Sequence, residues 1–259
     1  LAVTFTRTAA TDLVAGLTNL GTPGAADVEA RTLHSLCFSS LSQAAVFEFT
    51  GRVARPLLDH ERASMISDLA PQFDGKKQVK RLLHAFEAAW ARLQHEAPGW
   101  PADAVDRAFE AALLAWLRYH RAMLIGELIP ITLQYLRNNP AAPNRPSFQH
   151  VLVDEYQDLN RADQELAEIL VAPQGALTVI GDEDQSIYSF RHAHPAGIAE
   201  FSNAHTGTHD EALEDCRRCP TSIVALASRL ISHNRRARPT HILPVASNPA
   251  GNIHVVQHD

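Results

Sequence analysis

Two apolar runs in this chain each end in carboxylates. Val151-Leu152-Val153 leads into Asp154-Glu155-Tyr156-Gln157-Asp158. Leu177-Thr178-Val179-Ile180 leads through Gly181 into Asp182-Glu183-Asp184-Gln185, and on to Ser186-Ile187-Tyr188-Ser189-Phe190-Arg191. In open α/β sheets ligands bind beyond the carboxyl ends of the strands, so acids there stand where chemistry is done. An aspartate at that edge, Asp154, can hold Mg²⁺ directly or through water. The glutamate after it, Glu155, points the other way and can orient a water for attack on a terminal phosphate. Gln185, three residues past Asp182, carries an amide that can accept from that water and donate to a phosphate oxygen. Tyr188 and Phe190, two apart, share one face of an extended segment. Aromatic faces stack bases without reading sequence, worth roughly 1–3 kcal/mol each. By residue type alone Phe190 also suits core packing. Arg191 beside them can meet a phosphate. An acidic pair at a strand end can equally be solvated or cap a helix; the second acidic strand end downstream is what makes the pattern specific.

Further along, Leu213-Glu214-Asp215-Cys216-Arg217-Arg218-Cys219-Pro220 precedes a helical pattern. Arg218 can reach a phosphate and stabilise charge in a transition state, or form an ordinary ion pair with Glu214 or Asp215. Cys216-x-x-Cys219 is half of a zinc site without a second half. With Cys37 the chain has three cysteines, too few for a disulfide framework, so a reducing cytoplasm is the simplest setting. A formal net charge of −6 argues against a purely charge-driven nucleic-acid binder but leaves room for a groove lined locally by basic residues. Such residues cluster at Lys76-Lys77, Lys80-Arg81, Arg217-Arg218 and Arg235-Arg236 with Arg238. No run of eighteen apolar residues marks a membrane span.

The elements that position these groups follow from pattern. Leu1 to Thr6 reads as a strand end, with Thr8 capping a helix to about Leu20, where Gly21, Pro23 and Gly24 stop it. Val28 to Thr32 reads as a short strand, and a helix runs from His34 to about Ala45. Between Leu41 and Asn139 apolar residues recur at three and four, as in Leu82-Leu83-Phe86-Trp90-Leu93 and Phe109-Leu113-Leu114-Trp116-Leu117. Asn138 to Pro143 is a linker. From Phe148 the order is strand, helix, strand, with Asn160 and Asp163 starting the helix, which predicts a βαβ unit in a parallel sheet. Glu214 to Ser232 reads as another helix, and Asn252 to Gln257 as a last strand.

Taken together, these residues resemble the superfamily 1 DNA helicases of the UvrD/Rep/PcrA type. Val151 to Asp158 is similar to their motif II, the Walker B box, and Gly181 to Arg191 to motif III. Thr4-Phe5-Thr6-Arg7-Thr8-Ala9-Ala10 is similar to motif Ia, Thr32-Leu33-His34-Ser35-Leu36 to motif Ib, and Leu213 to Cys219 to motif IV. The resemblance covers essentially the whole chain. It implies an α/β fold: a RecA-like P-loop NTPase parallel sheet, incomplete, with a large all-helical insertion. Residues 1–40 would begin lobe 1A, 41–145 form the helical 1B insertion, 146–236 complete 1A, and 237–259 begin lobe 2A.

The same resemblance implies a protein that uses ATP and Mg²⁺ to move 3′-to-5′ along single-stranded DNA and to act at single-strand/duplex junctions, with repair among its settings. Asp154 would bind the magnesium, Glu155 act as catalytic base, Gln185 couple the γ-phosphate to the DNA site, and Arg218 touch the γ-phosphate. Phe5, Arg7, His34, Tyr188, Phe190 and Arg191 would line the strand. Departures accompany the matches. No Gly-x-x-x-x-Gly-Lys-Ser/Thr phosphate loop occurs; Gly21-Thr22-Pro23-Gly24 and Gly75-Lys76-Lys77 do not substitute for it. The family's asparagine-lysine in motif Ia is Arg7-Thr8, its motif III tryptophan is Phe190, and its motif IV tyrosine is Arg217. The expectation is a piece of a longer motor, inactive as an ATPase by itself and prone to pair with copies through an exposed sheet edge. A non-catalytic nucleic-acid-binding module, or the motor part of a helicase–nuclease, is the alternative.

Overall fold

Apolar runs, helix caps and glycine stops set the elements seen in the computed structural model, which describes residues 1–21, 23–142, 145–234 and 242–256. In chain order they are β1 (Ala2–Val3), α1 (Arg7–Asn19), β2 (Ala30–Arg31), α2 (Leu33–Leu41), α3 (Ala44–Thr50), α4 (Asp59–Leu69), α5 (Lys76–Ala91), α6 (Ala104–Tyr119), α7 (Leu128–Asn138), β3 (Phe148–Val153), α8 (Arg161–Ile169) and β4 (Val171–Val179). Then follow α9 (Ala196–Ala199), α10 (Phe201–Ala204), β5 (Asp215–Cys216), α11 (Thr221–Ile231) and β6 (Leu243–Pro244). By their internal contacts residues 1–197 and 198–259 form two compact units.

In the first unit β2-β1-β3-β4 make a parallel sheet in that order. Register is set by apolar partners: Ala2 lies beside Leu152, Val3 beside Val153, and Val153 beside Val179. In β3, Val151 and Val153 are buried while Leu152 between them is exposed, so packing closes one face and sets the register. The β3–β4 ladder shifts register between Phe148 and His150. Gly175 lies opposite, where an added Cβ would sit 2.7 Å from the Gln149 carbonyl oxygen; only glycine allows that approach.

Caps define where helices begin. The hydroxyl of Thr6, not of Thr8, accepts from Ala9 N (3.1 Å) to start α1. Thr32 caps α2 through Ser35 N, and Asp103 caps α6 through Val105 N at 2.7 Å. Asn160 and Asp163 form the reciprocal box that starts α8. The single helix expected from His34 to Ala45 is two, broken at Ser42-Gln43, and α3 ends where Gly51 turns left-handed.

Helices α4, α5 and α6 have their own core. Met65, Leu83, Phe109, Leu113 and Leu117 are fully buried within it. Phe109 meets Phe73 and Phe86 edge-on, each at 5.3 Å. The chain enters this block near Arg55 and leaves it near Met123, and the two passes bond to each other: Leu57 N donates to Met123 O, and Met123 N to Arg55 O, both at 2.9 Å. Beside this neck the buried pair Arg52–Glu127 is bidentate, at 2.7 and 3.1 Å, and Glu127 also accepts from Leu124 N. Beyond it α7 packs against α2 and α8.

In the second unit β5 pairs in parallel with β6, and α11 is shorter than the helix expected from Glu214. Asp215-Cys216 is strand, and Pro220 can only precede the helix. The last strand expected over 252–257 is absent: residues 251–256 have no regular structure, and Gln257 lies outside the described residues. The basic cluster Arg235, Arg236 and Arg238 also lies outside them, as do Thr22 and Pro143.

Candidate functional site

The carboxyl ends of β3 and β4 are joined by polar side chains. Asp154 N donates to Val3 O (3.0 Å), which fixes Asp154 at the sheet edge between β1 and β3. Glu155 is left-handed at φ 54°, a conformation that costs a residue with a Cβ about 1–2 kcal/mol. Tyr156 N to Ile180 O (2.9 Å) holds that turn against β4. The Glu155 carboxylate accepts from the Gln157 amide (2.7 Å), and the Gln157 amide oxygen accepts from Asp182 N (3.1 Å). Asp182 then accepts from the Gln185 amide (2.8 Å) and from Asp184 N. Glu155 and Gln185, predicted from separate strand ends, are thus linked through Gln157 and Asp182.

Gln157 is the residue that sequence reasoning passed over. It stood within an acidic cluster with no role of its own, yet it is 1% exposed and bridges groups on both strands. The signal available was its type: an amide, able to donate and accept at once, among residues that only accept.

Charge at this edge is one-sided. Partial desolvation first, and then the charge of Glu155, push the exposed Asp154 carboxyl above the ordinary range, and Asp158 is raised by the same two causes. Asp154 accepts one hydrogen bond, from Glu155 N. Among the described residues no three His, Cys, Asp or Glu side chains converge to hold a metal. The edge therefore offers a single carboxylate with excess negative charge around it. That fits a magnesium ion, which takes one or two carboxylates and completes its shell with water and substrate phosphates, and it does not fit a protein-built metal cage.

The aromatic residues come together beside this edge. Phe5, just after β1, lies 5.0 Å from Tyr188, and Tyr188 lies 5.7 Å from Phe190. Phe190 is 70% exposed, so it is not a core residue. The Arg191 guanidinium stands 4.8 Å over the Phe5 ring. His34, near the start of α2, is lowered by burial and then by Arg191, so its ring is neutral near pH 7. Asp163 is buried, its Oδ1 has no hydrogen-bond partner, and burial pushes its carboxyl up to about 7, with Arg191 opposing. Arg7 opens α1 and is exposed, without ring or ion contact to this group.

Arg218 belongs to the second unit, exposed just after β5. The Cys216 thiol beside it is lowered, chiefly by backbone hydrogen bonds from Cys219 and Arg218. All three cysteines are free thiols.

The sequence profile of the UvrD/REP helicase N-terminal domain matches residues 1–206. The chain belongs to that family. Among its relatives are proteins named ATP-dependent DNA helicase PcrA. The one from Staphylococcus epidermidis (strain ATCC 35984) is 29% identical over 261 residues, covering 92% of this chain and 34% of the relative. The one from Staphylococcus aureus (strain Mu50) is 28% identical over 262 residues, covering 96% and 35%. The chain spans about a third of the length of these relatives. The mixed α/β fold, with its parallel sheet and many helices, is that of a RecA-like N-terminal domain of this family. No described helix is long and apolar enough to cross a membrane.

Proposed function

We propose that this chain supplies the water-activating edge and part of the DNA floor of an ATP-dependent DNA helicase that moves 3′-to-5′ along single strands and opens junctions. Residues 41–145 serve as its helical 1B subdomain, between the two parts of lobe 1A, with lobe 2A starting near residue 237. The observation that supports this reading is the hydrogen-bonded line Glu155–Gln157–Asp182–Gln185, which ends three residues before Tyr188 and five before the exposed Phe190. A motor needs its hydrolytic group and its strand contacts to sense one another, and this line is a physical path between them.

In this reading Asp154 holds magnesium, which, when bound, offsets charge on the phosphates. Glu155 accepts the proton of the attacking water. Gln157 keeps the Glu155 carboxylate aimed, and its other end reports to Asp182. Gln185 exchanges its bond to Asp182 for one to the γ-phosphate, so the loop carrying Tyr188 shifts with nucleotide state. Arg218 is the arginine that answers the γ-phosphate. Phe5, Tyr188 and Phe190 stack bases, while Arg7, Arg191 and His34 line the backbone track. The phosphate loop is not among these 259 residues, so turnover belongs to the whole protein. The setting is the reducing cytoplasm, where the three free thiols persist, and β4, a nine-residue edge strand, is the surface through which copies of the isolated chain pair.

The test is Glu155→Gln in the whole protein. DNA-stimulated ATP turnover is expected to fall about 10²–10⁴-fold with nucleotide binding retained. Retained turnover would remove Glu155 as the base. Strand binding by this chain that no nucleotide alters in the whole protein would favour a non-catalytic DNA-binding module instead.

A further inference from the structure

We propose a phosphate-binding site in the cleft of about 230 Å³ lined by Arg92, Gln94, Arg161, His192, Ala193 and His194, taking the backbone of the strand where it leaves the aromatic track. The proposal rests on the DNA-binding reading above. The cleft lies between the end of α5, the start of α8 and the loop after Arg191, all within residues 1–197. Its volume is below that of pockets that enclose a drug-sized ligand, and it suits a phosphate with its waters.

Charge balance points to an anion. Three acids of the flanking segments are already engaged: Glu87 pairs with Arg62, and Glu96 and Glu165 both pair with Arg137. Among the described residues Arg92 and Arg161 make no side-chain hydrogen bond or ion pair. Two guanidiniums are thus left facing one cleft without an anion, and their planar forks match phosphate oxygens. Arg161 is the first residue of α8, so the positive end of that helix adds to the field. Gln94 adds a neutral donor.

Backbone strain falls at the same place. His192 is left-handed at φ 65°, a conformation that residues with a Cβ adopt at a cost. The turn places its ring in the cleft and 5.6 Å from His84 on α5. Burial, then Arg92 and His84, lower its proton affinity, and Glu87 opposes them. A bound phosphate reverses that balance. Arg191, the next residue back, is the one over Phe5, so the cleft begins where the aromatic group ends.

The test is binding of fluorescent oligo(dT) to the full 259-residue chain over a salt series, alongside Tyr188→Ala and the double variant Arg92→Ala/Arg161→Ala. Both arginines are exposed, so the fold is retained, and circular dichroism checks this. Imidazole NMR, with His192→Gln to identify the signal, follows His192 with oligonucleotide and with inorganic phosphate alone. The expectation is about tenfold or weaker binding by the double variant. Its salt slope should be shallower by about 0.7 per lost phosphate contact, and the wild-type His192 signal should move on adding strand. Equal affinity and slope, with Tyr188→Ala impaired, would overturn the cleft and leave the strand reading standing. Movement of His192 by inorganic phosphate with no strand binding would overturn the strand as its source. No response to either ligand would overturn both readings.

Discussion

The helical block and the carboxyl edge of the sheet use polar groups in opposite ways. At the neck of the block, Arg52 and Glu127 are buried and paired twice over. Every bond they make is to the chain itself, so they serve stability and shape. At the sheet edge, Asp154 and Glu155 are exposed, carry like charge side by side, and accept few bonds. That arrangement is poor for stability and suited to an external cation and a water. A region organised for folding satisfies its own polar groups; a region organised for chemistry leaves some unsatisfied.

Substitutions can break that contrast. Glu127→Ala strands the Arg52 charge in the interior and should cost about 3–5 kcal/mol in urea unfolding, while leaving oligonucleotide affinity of the remaining folded protein unchanged. A small stability loss would mean that water enters the neck of the block. Asp163 gives the next effect, through pH. Its folded carboxyl is raised from 3.8 to about 7, so between those values the folded chain holds a proton that the unfolded chain has released. Its contribution to stability is therefore greatest below that window and falls as pH rises through it, by up to about 1.4 kcal/mol per unit, flat above. Unfolding of wild type and Asp163→Asn at stepped pH should differ by that slope; parallel curves would show that the acid is not perturbed.

Smaller effects sharpen the other side. Gln157→Ala removes a buried bridge and should cost about 1–3 kcal/mol of stability. Unlike Glu127→Ala, it should also weaken the response of DNA affinity to nucleotide in the whole protein. Tyr188→Ala should lower single-strand affinity by about 1–3 kcal/mol with little change in unfolding midpoint, read by fluorescence titration. Arg62→Ala, which breaks a partly exposed pair with Glu87, should cost under about 1 kcal/mol. A large loss there would blur the distinction between buried and surface pairs.

Much of the candidate site was legible before any coordinates. Asp154, Glu155, Gln185, Tyr188 and Arg191 could be picked as candidates because they lie beyond two apolar runs read as strands, and strand ends are where α/β sheets bind ligands. The cap of α8 was readable because Asn160 and Asp163 act over three residues. What escaped was non-local or locally ambiguous. Gln157 became meaningful only with Asp182 beside it, 25 residues on. Phe190 could not be assigned to core or surface by type. The ends of α2 and α11 were misjudged because apolar spacing marks a face, not the turn where a helix stops.

By itself the sequence determined most element types of the first unit, the parallel βαβ core, the helical block and the chemical character of each strand end, since these depend on local periodicity, capping and residue type. Only the tertiary structure decided which strand ends are joined, which arginines are left without an acid, and that Asp163 is buried near Arg191. Those outcomes depend on burial and on charges contributed by distant segments, and no local pattern carries them.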